Sequence, residues 1–289
     1  MAQADERNFR SQYYEKMGFR CVEEKRSLEP LLRETPVDGA RLAQFVRLHL
    51  VPGIYRPLVW RLLLKVQPCH PEAAEFVAAR RRETATDTFH WLRVLRNVTD
   101  ETPWPLVFWL GWLLNTYRLA HMLPDEILRQ DECPQLQVAQ LVMDLFDDQT
   151  DQFFVCCRLW QLQREALDAL PGQLAWLAAQ LEREDPPLAA HLAALGLLAD
   201  GTLLAGWISR LFCGVLPSSS VERVVDKLVA GAERILPLTG ASLLITHRRA
   251  LLAVEDPSAA RALLDKVVEE DTDRVVSRAL DLWAKQSKV

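Results

Sequence analysis

Arginine is the residue type whose spacing in this chain could do chemistry. Arg80, Arg81, Arg82, Arg93 and Arg96 make a basic run. Other chemistries find less support. The six cysteines, Cys21, Cys69, Cys133, Cys156, Cys157 and Cys213, are scattered and form no Cys-x-x-Cys, so neither zinc nor a disulfide framework is suggested, and a reducing compartment fits best. Histidines such as His49, His70, His121 and His247 stand alone, with no Ser-His-Asp order and no Gly-x-x-x-x-Gly-Lys-Ser/Thr loop. Asp147, Asp148 and Asp151 resemble a metal cluster only superficially, and solvated helix-end aspartates are the simpler reading.

The elements that must position these arginines are helices. Leu, Ala, Arg and Glu dominate, while Pro (16) and Gly (11) sit between the apolar-periodic runs of the 289 residues. No run alternates long enough to predict a strand, and no internal repeat or low-complexity linker is present. The expectation is an all-α fold of ten or more helices. With 49% apolar and 25% charged residues the composition is that of a soluble globular protein. Lys plus Arg (34) against Asp plus Glu (39) leaves a net charge of −5, which argues against a nucleic-acid or anionic-membrane binder. The charged N-terminus gives no sign of a signal peptide. The uncharged stretch from Thr102 to Tyr117 is too short and too proline-broken for a transmembrane span.

Two segments set the organisation. From Leu204 to Leu228 the pattern predicts a helical corner: Trp207, Ile208, Leu211, Phe212 and Val215 form an apolar face and Pro217 stops it. Ser219 and Glu222, at capping-box spacing, open a second helix. That helix turns Val221, Val224, Val225, Leu228 and Val229 inward, with Glu222, Arg223, Asp226 and Lys227 on the other side. Earlier, Val51-Pro52-Gly53-Ile54-Tyr55-Arg56 leads into a helix in which Arg56 and Trp60 share a face, Arg56 being buried or half-buried in a structural role.

Trp207, Phe212, Leu216, Pro217, Arg223 and Asp226, together with the earlier Pro-turn and Arg56–Trp60 pair, resemble the signatures of the TBC domain family, the Rab GTPase-activating proteins. Val225 stands where that family usually has tryptophan. The resemblance implies a multi-helix TBC domain over 46–232, an N-terminal helical segment over 1–45 packed on it, and C-terminal helices over 233–289 completing the same domain. It also implies where catalysis would lie. Active members carry Ile-x-x-Asp-x-x-Arg, whose arginine enters the Rab active site, where a guanidinium stabilises the charge that builds on the γ-phosphate oxygens, an effect on the order of 10³–10⁵ in rate. Here the segment is His90-Trp91-Leu92-Arg93-Val94-Leu95-Arg96, so the finger arginine is present as Arg96 while isoleucine and aspartate have become His90 and Arg93. An aspartate there would hold a neighbouring arginine; a second arginine repels it. Active members also carry Tyr-x-Gln. Two residues after Tyr13, Tyr14, Tyr55 and Tyr117 stand Glu15, Lys16, Pro57 and Leu119, so the motif does not occur.

The segments Arg7–Leu32, Leu92–Pro103 and Arg274–Trp283 look like one branch of that family, which is associated with the tuberous sclerosis complex. This implies a non-catalytic, cofactor-free adaptor that binds the hamartin C-terminal coiled coil, with tuberin supplying the Rheb GTPase-activating activity that restrains mTORC1 signalling. The implied location is cytoplasmic, with peripheral attachment to lysosomal or vesicle membranes through the complex. A Rab GTPase is the partner on the alternative reading, a degenerate activator resting on Arg96. The helix predicted after Pro103 is apolar all round, with Trp104, Phe108, Trp109, Trp112 and Tyr117 on different sides, and such a helix must be covered on every side. Val107, Phe108, Leu110, Trp112 and Leu114 are therefore the expected partner surface. In the preceding helix, Trp91, Val94, Leu95 and Val98 form the expected inward face.

Overall fold

Fifteen α-helices and no strand account for the regular structure of the described residues, as the helix-forming composition dictates. The computed structural model describes residues 22–116, 133–199, 201–265 and 269–286. The expected apolar positions Phe9, Tyr13, Met17, Phe19 and Tyr117 lie outside them, as do His121, Cys21, Asp200 and Val268. In chain order the helices are α1 (Val22–Arg33), α2 (Gly39–Leu48), α3 (Arg56–Leu63), α4 (Pro71–Val94), α5 (Trp104–Asn115), α6 (Pro134–Leu145), α7 (Gln149–Asp168) and α8 (Leu170–Glu184). Then come α9 (Pro186–Ala194), α10 (Thr202–Ile208), α11 (Ser218–Val229), α12 (Ile235–Thr246), α13 (Arg248–Leu252), α14 (Pro257–Asp265) and α15 (Glu269–Gln286). A 3₁₀ turn, Gly53–Tyr55, leads into α3. No helix among the described residues is long and apolar enough to cross a membrane.

The helices pack as two compact units, one within 1–45 and 51–161, the other within 46–50 and 162–289. Each is built round a helix that is apolar on all sides. In the second unit this is α12, buried from Ile235 to Ile245 and packed by α8, α11 and α15. Gly240 permits that approach: a Cβ there would come within 3.1 Å of Leu177 and 3.2 Å of the Trp207 ring.

In the first unit the centre is α5, and here the structure corrects the expected partner surface. Val107, Phe108, Leu110 and Trp112 are buried in the unit's own interior, and Leu114 is half-buried. The reason is an aromatic shell supplied by neighbouring helices. The Phe108 ring lies 5.9 Å from Phe89 of α4 and 6.0 Å from Phe153 of α7. Trp109 and Trp112 stack at 4.9 Å, and both meet Trp160 in T-shaped contacts, at 5.2 and 5.9 Å. Such tilted and edge-on pairs add about 0.5–1.5 kcal/mol each beyond area burial. Gly111 lets α5 come close, since a Cβ would meet Phe153 and Thr88 at 3.1 Å.

Burying Phe89 fixes the rotation of α4 and produces a second correction. The inward stripe is Ala85, Thr88, Phe89 and Leu92. Of the expected inward face only Val98, beyond the helix end, is buried; Trp91, Val94 and Leu95 are 56%, 53% and 51% exposed. Both stripes have i, i+3, i+4, i+7 spacing, so periodicity alone does not choose between them. The aromatic shell does.

The α10–α11 corner also differs from expectation. The first helix ends at Ile208 rather than at Pro217. Leu211 and Phe212 follow in the left-handed region, with φ of 49° and 64°, and both are fully buried. Pro217 is the N-cap of α11, and Ser219 lies inside its first turn.

The aromatic shell makes a direct prediction. Phe108→Asp and Trp112→Asp bury an unpaired charge beside aromatic rings, a cost of several kcal/mol, roughly 4 or more. Thermal unfolding followed by circular dichroism then shows loss of the cooperative transition or a large drop in its midpoint; an unchanged midpoint would mean that these rings are accessible after all.

Candidate functional site

Arg96, the candidate finger, owes its position to how α4 ends. The Asn97 amide donates to the Leu92 carbonyl and the Arg96 amide to the Arg93 carbonyl, both at 2.9 Å. That pair of bonds is a Schellman cap with Arg96 at its left-handed position, φ 58°. The same bonding closes α9 at Gly196 and α11 at Gly231, where glycine adopts the positive φ without a Cβ clash. At Arg96 the backbone carries strain of about 1 kcal/mol, partly offset by a cation near the negative helix end.

The side chains round the cap are exposed. Arg96, Arg93 and His90 all reach solvent. Arg93 Nε lies 3.6 Å from Asp100, a loose surface pair worth little. The aspartate of the family motif is thus absent from its place, yet Arg93 turns to another carboxylate rather than onto Arg96. The guanidinium of Arg96 makes no hydrogen bond or ion pair with a described residue. Trp91, Val94 and Leu95, at i, i+3 and i+4, stand exposed beside it. Sequence periodicity had placed these three inward; three large apolar groups next to the finger segment were the available signal. In chemical terms this helix end offers apolar contact area and one uncompensated cation.

The remaining signature residues are interior. Arg56 is buried and donates from Nη2 to the Val51 carbonyl at 3.2 Å, while Trp60, fully buried, lies 6.3 Å from Phe146. Trp207 and Phe212 stack at 5.8 Å, and Gln163 of α7 donates to the Ile208 and Ser209 carbonyls, which anchors the corner. Pro217 caps α11, as above. Asp226 is buried, and so is Lys227, which corrects the expectation that both face away from the core. Asp148 and Asp151 are not a metal pair: Asp148 accepts from the Asp151 amide and Asp151 binds Arg61 at 2.7 Å.

Lys227 has a specific task. Only 3% exposed, it donates from Nζ to the Val46 and His49 carbonyls at 2.6 and 2.5 Å, holding the C-terminal end of α2. Trp283 Nε1 donates to the Arg47 carbonyl at 2.8 Å, so with Lys227 the carbonyls at the end of α2 are satisfied from α15 and α11, and Arg47 Nε in turn donates to the Ala230 carbonyl at 2.7 Å. Burial pulls the Lys227 ammonium from its ordinary 10.5 down to about 8, against the opposing pull of Asp226.

Comparison with known proteins agrees with this architecture. No family model matches the chain. It is 35% identical over 286 residues to TBC1 domain family member 7 of Homo sapiens, covering 99% of this chain and 97% of that protein. The protein of that name from Danio rerio is 36% identical over 293 residues, with the same coverage of both chains. Among solved structures, the Ypt/Rab-GAP domain of Gyp1p superposes with a TM-score of 0.59 at 15% identity, over 92% of this chain and 99% of that one. The Chlamydomonas flagellar RabGAP TBC domain gives 0.57 at 17%, over 93% and 94%. At these identities the two structures share the fold.

Two outcomes follow from this geometry. Arg96→Gly relieves the left-handed strain and raises stability by about 0.5–1 kcal/mol in a urea titration; a loss of stability would mean that the side chain makes native contacts. The Lys227 ammonium gives a pH effect of defined sign. Between pH 8 and 10.5 the unfolded chain holds a proton that the folded chain has lost, so stability rises with pH across that window. Measured against Lys227→Met, the wild type gains about 1–3 kcal/mol from pH 8 to 10.5. A wild-type slope of opposite sign would mean that the two carbonyls outweigh burial.

Proposed function

The chain belongs to the family of TBC1 domain family member 7, and from that premise we propose that it is a non-catalytic adaptor of the hamartin–tuberin complex. On this reading it binds the hamartin C-terminal coiled coil and supports the Rheb GTPase-activating function of tuberin, and through it the restraint of mTORC1 signalling. It acts in the cytoplasm and reaches lysosomal or vesicle membranes through the complex.

One observation carries the proposal: the segment matching the catalytic finger of the family bears an exposed apolar row, Trp91, Val94 and Leu95. Their i, i+3, i+4 spacing is the pattern that docks one helix against another. A coiled-coil helix laid along this end of α4 would cover three large side chains that the domain leaves in water. The tryptophan is the natural anchor, since interface energy concentrates in a few large aromatic residues. The missing Tyr-x-Gln supports the same reading, because a water-positioning glutamine has no candidate in that motif.

The alternative, a Rab GTPase activator of degenerate site, is favoured by one feature. Arg96 is free of partners among the described residues and held in a strained backbone, and strain of this kind collects at functional positions.

Trp91→Asp separates the readings. It lies on the surface, so the thermal midpoint stays within a few degrees of wild type, roughly 3 °C. Capture of the hamartin coiled coil falls by tenfold or more, since truncating an anchor costs ~2 kcal/mol and a buried charge costs more. Undiminished capture with a normal melt contradicts the assigned surface. Strong Rab GTP hydrolysis that Arg96→Ala removes restores the alternative.

A further inference from the structure

A groove of about 420 Å³ in the first unit lies between the end of α3, the first half of α4 and the start of α7. It is far along α4 from the Trp91 row and is not used by the adaptor reading. Its inner wall carries Arg61 and Arg81. Arg61 binds Asp151 at 2.7 Å and keeps about a third of its side chain exposed, while its Nε, buried, has no partner. Arg81 stacks on the Phe154 ring at 4.9 Å and donates from Nη2 to the Lys65 carbonyl at 2.6 Å. Burial lowers the Arg81 pKa, the sign of a cation whose lost hydration is not fully replaced.

The charges on the groove are balanced in number but not in depth. Glu75, Asp148 and Arg82 stand on the exposed rim, and one Asp148 oxygen is already taken by the Asp151 amide. Inside, two guanidinium groups share one carboxylate. The apolar lining is made by Val66, Pro68 and Val77, with Ala78 at the exposed edge. A rigid guanidinium fork suits carboxylate and phosphate oxygens, and stacking on an aromatic ring pre-sets its plane.

We propose that this groove binds a small organic anion, with one carboxylate or phosphate-ester group on Arg61 and Arg81 and an apolar body on the floor. The two headgroups share the chemistry the arginines read. A groove this open gives modest affinity, with Kd of about 1 mM for a probe of this size.

The test is a thermal melt of the full chain with benzoate, with phenyl phosphate, and with inorganic phosphate. At ten times Kd, benzoate or phenyl phosphate raises the midpoint by ~2–4 °C, and whichever binds tighter identifies the headgroup. Arg81→Met keeps packing on Phe154 but lacks the charge, and weakens that probe at least fivefold. Ala78→Trp sets a large ring over the groove from its exposed edge while leaving both arginines in place, and abolishes the shift even if Arg81→Met folds poorly. The proposal is overturned if neither organic anion shifts the melt or if Ala78→Trp binds as wild type. It is also overturned if inorganic phosphate alone does as much, since the apolar floor then contributes nothing. Capture of the hamartin coiled coil is unaffected by Ala78→Trp, so failure here leaves the adaptor reading standing.

Discussion

A helix that is apolar on every side cannot remain half covered, and the first unit depends on how it meets that requirement for α5. Phe89, Phe153 and Trp160 close round Phe108, Trp109 and Trp112. Once Phe89 points inward, α4 has no rotational freedom left. A residue two positions on is turned by about 200° round a helix, so Trp91 is sent towards solvent, and Val94 and Leu95 follow it. The exposed row is thus a consequence of core packing. Its apolar composition is not: polar residues at 91, 94 and 95 would satisfy the same core and suit water better, which is why the row reads as a surface kept for a partner.

The same economy of causes places the arginine. Arg96 stands where it does because α4 ends in a Schellman cap, and the cap needs a left-handed residue. Glycine fills that position after α9 and α11. Keeping arginine here costs backbone strain and leaves a cation at the edge of the apolar row. In an activator that cation would face γ-phosphate oxygens; in an adaptor it lies beside the docked helix and meets its polar flank. The proposed adaptor reading rests on its neighbours, which are His90, Trp91, Arg93, Val94 and Leu95, with no Tyr-x-Gln in the chain.

Much of this was legible in the sequence. Composition and periodicity gave all-α, and the Trp207, Phe212, Pro217 and Arg56, Trp60 motifs carried the family, which identity over nearly the whole chain bears out. What stayed hidden was choice among equivalent patterns. The stripe of Phe89 and the stripe of Trp91 have the same spacing, and only the rings of α5 and α7, remote in sequence, select one. An all-round apolar helix has no preferred face, so nothing in α5 itself says whether its own unit or a partner covers it. The end of α10 at Ile208 was invisible because Leu211 and Phe212 adopt a conformation that sequence associates with glycine. Burial of Lys227 followed from carbonyls at the end of α2, to which its charge offered no clue.

The central claim is that the finger end of α4 is a binding surface. Hydrogen–deuterium exchange of the chain, alone and with the hamartin coiled coil, tests it most directly. The account predicts that amides from about 88 to 97 slow severalfold on binding, while the buried α5 amides do not change, because backbone exchange reports local opening and a docked helix suppresses fraying. Slowing confined to other helices, with 88–97 unaffected, would contradict it.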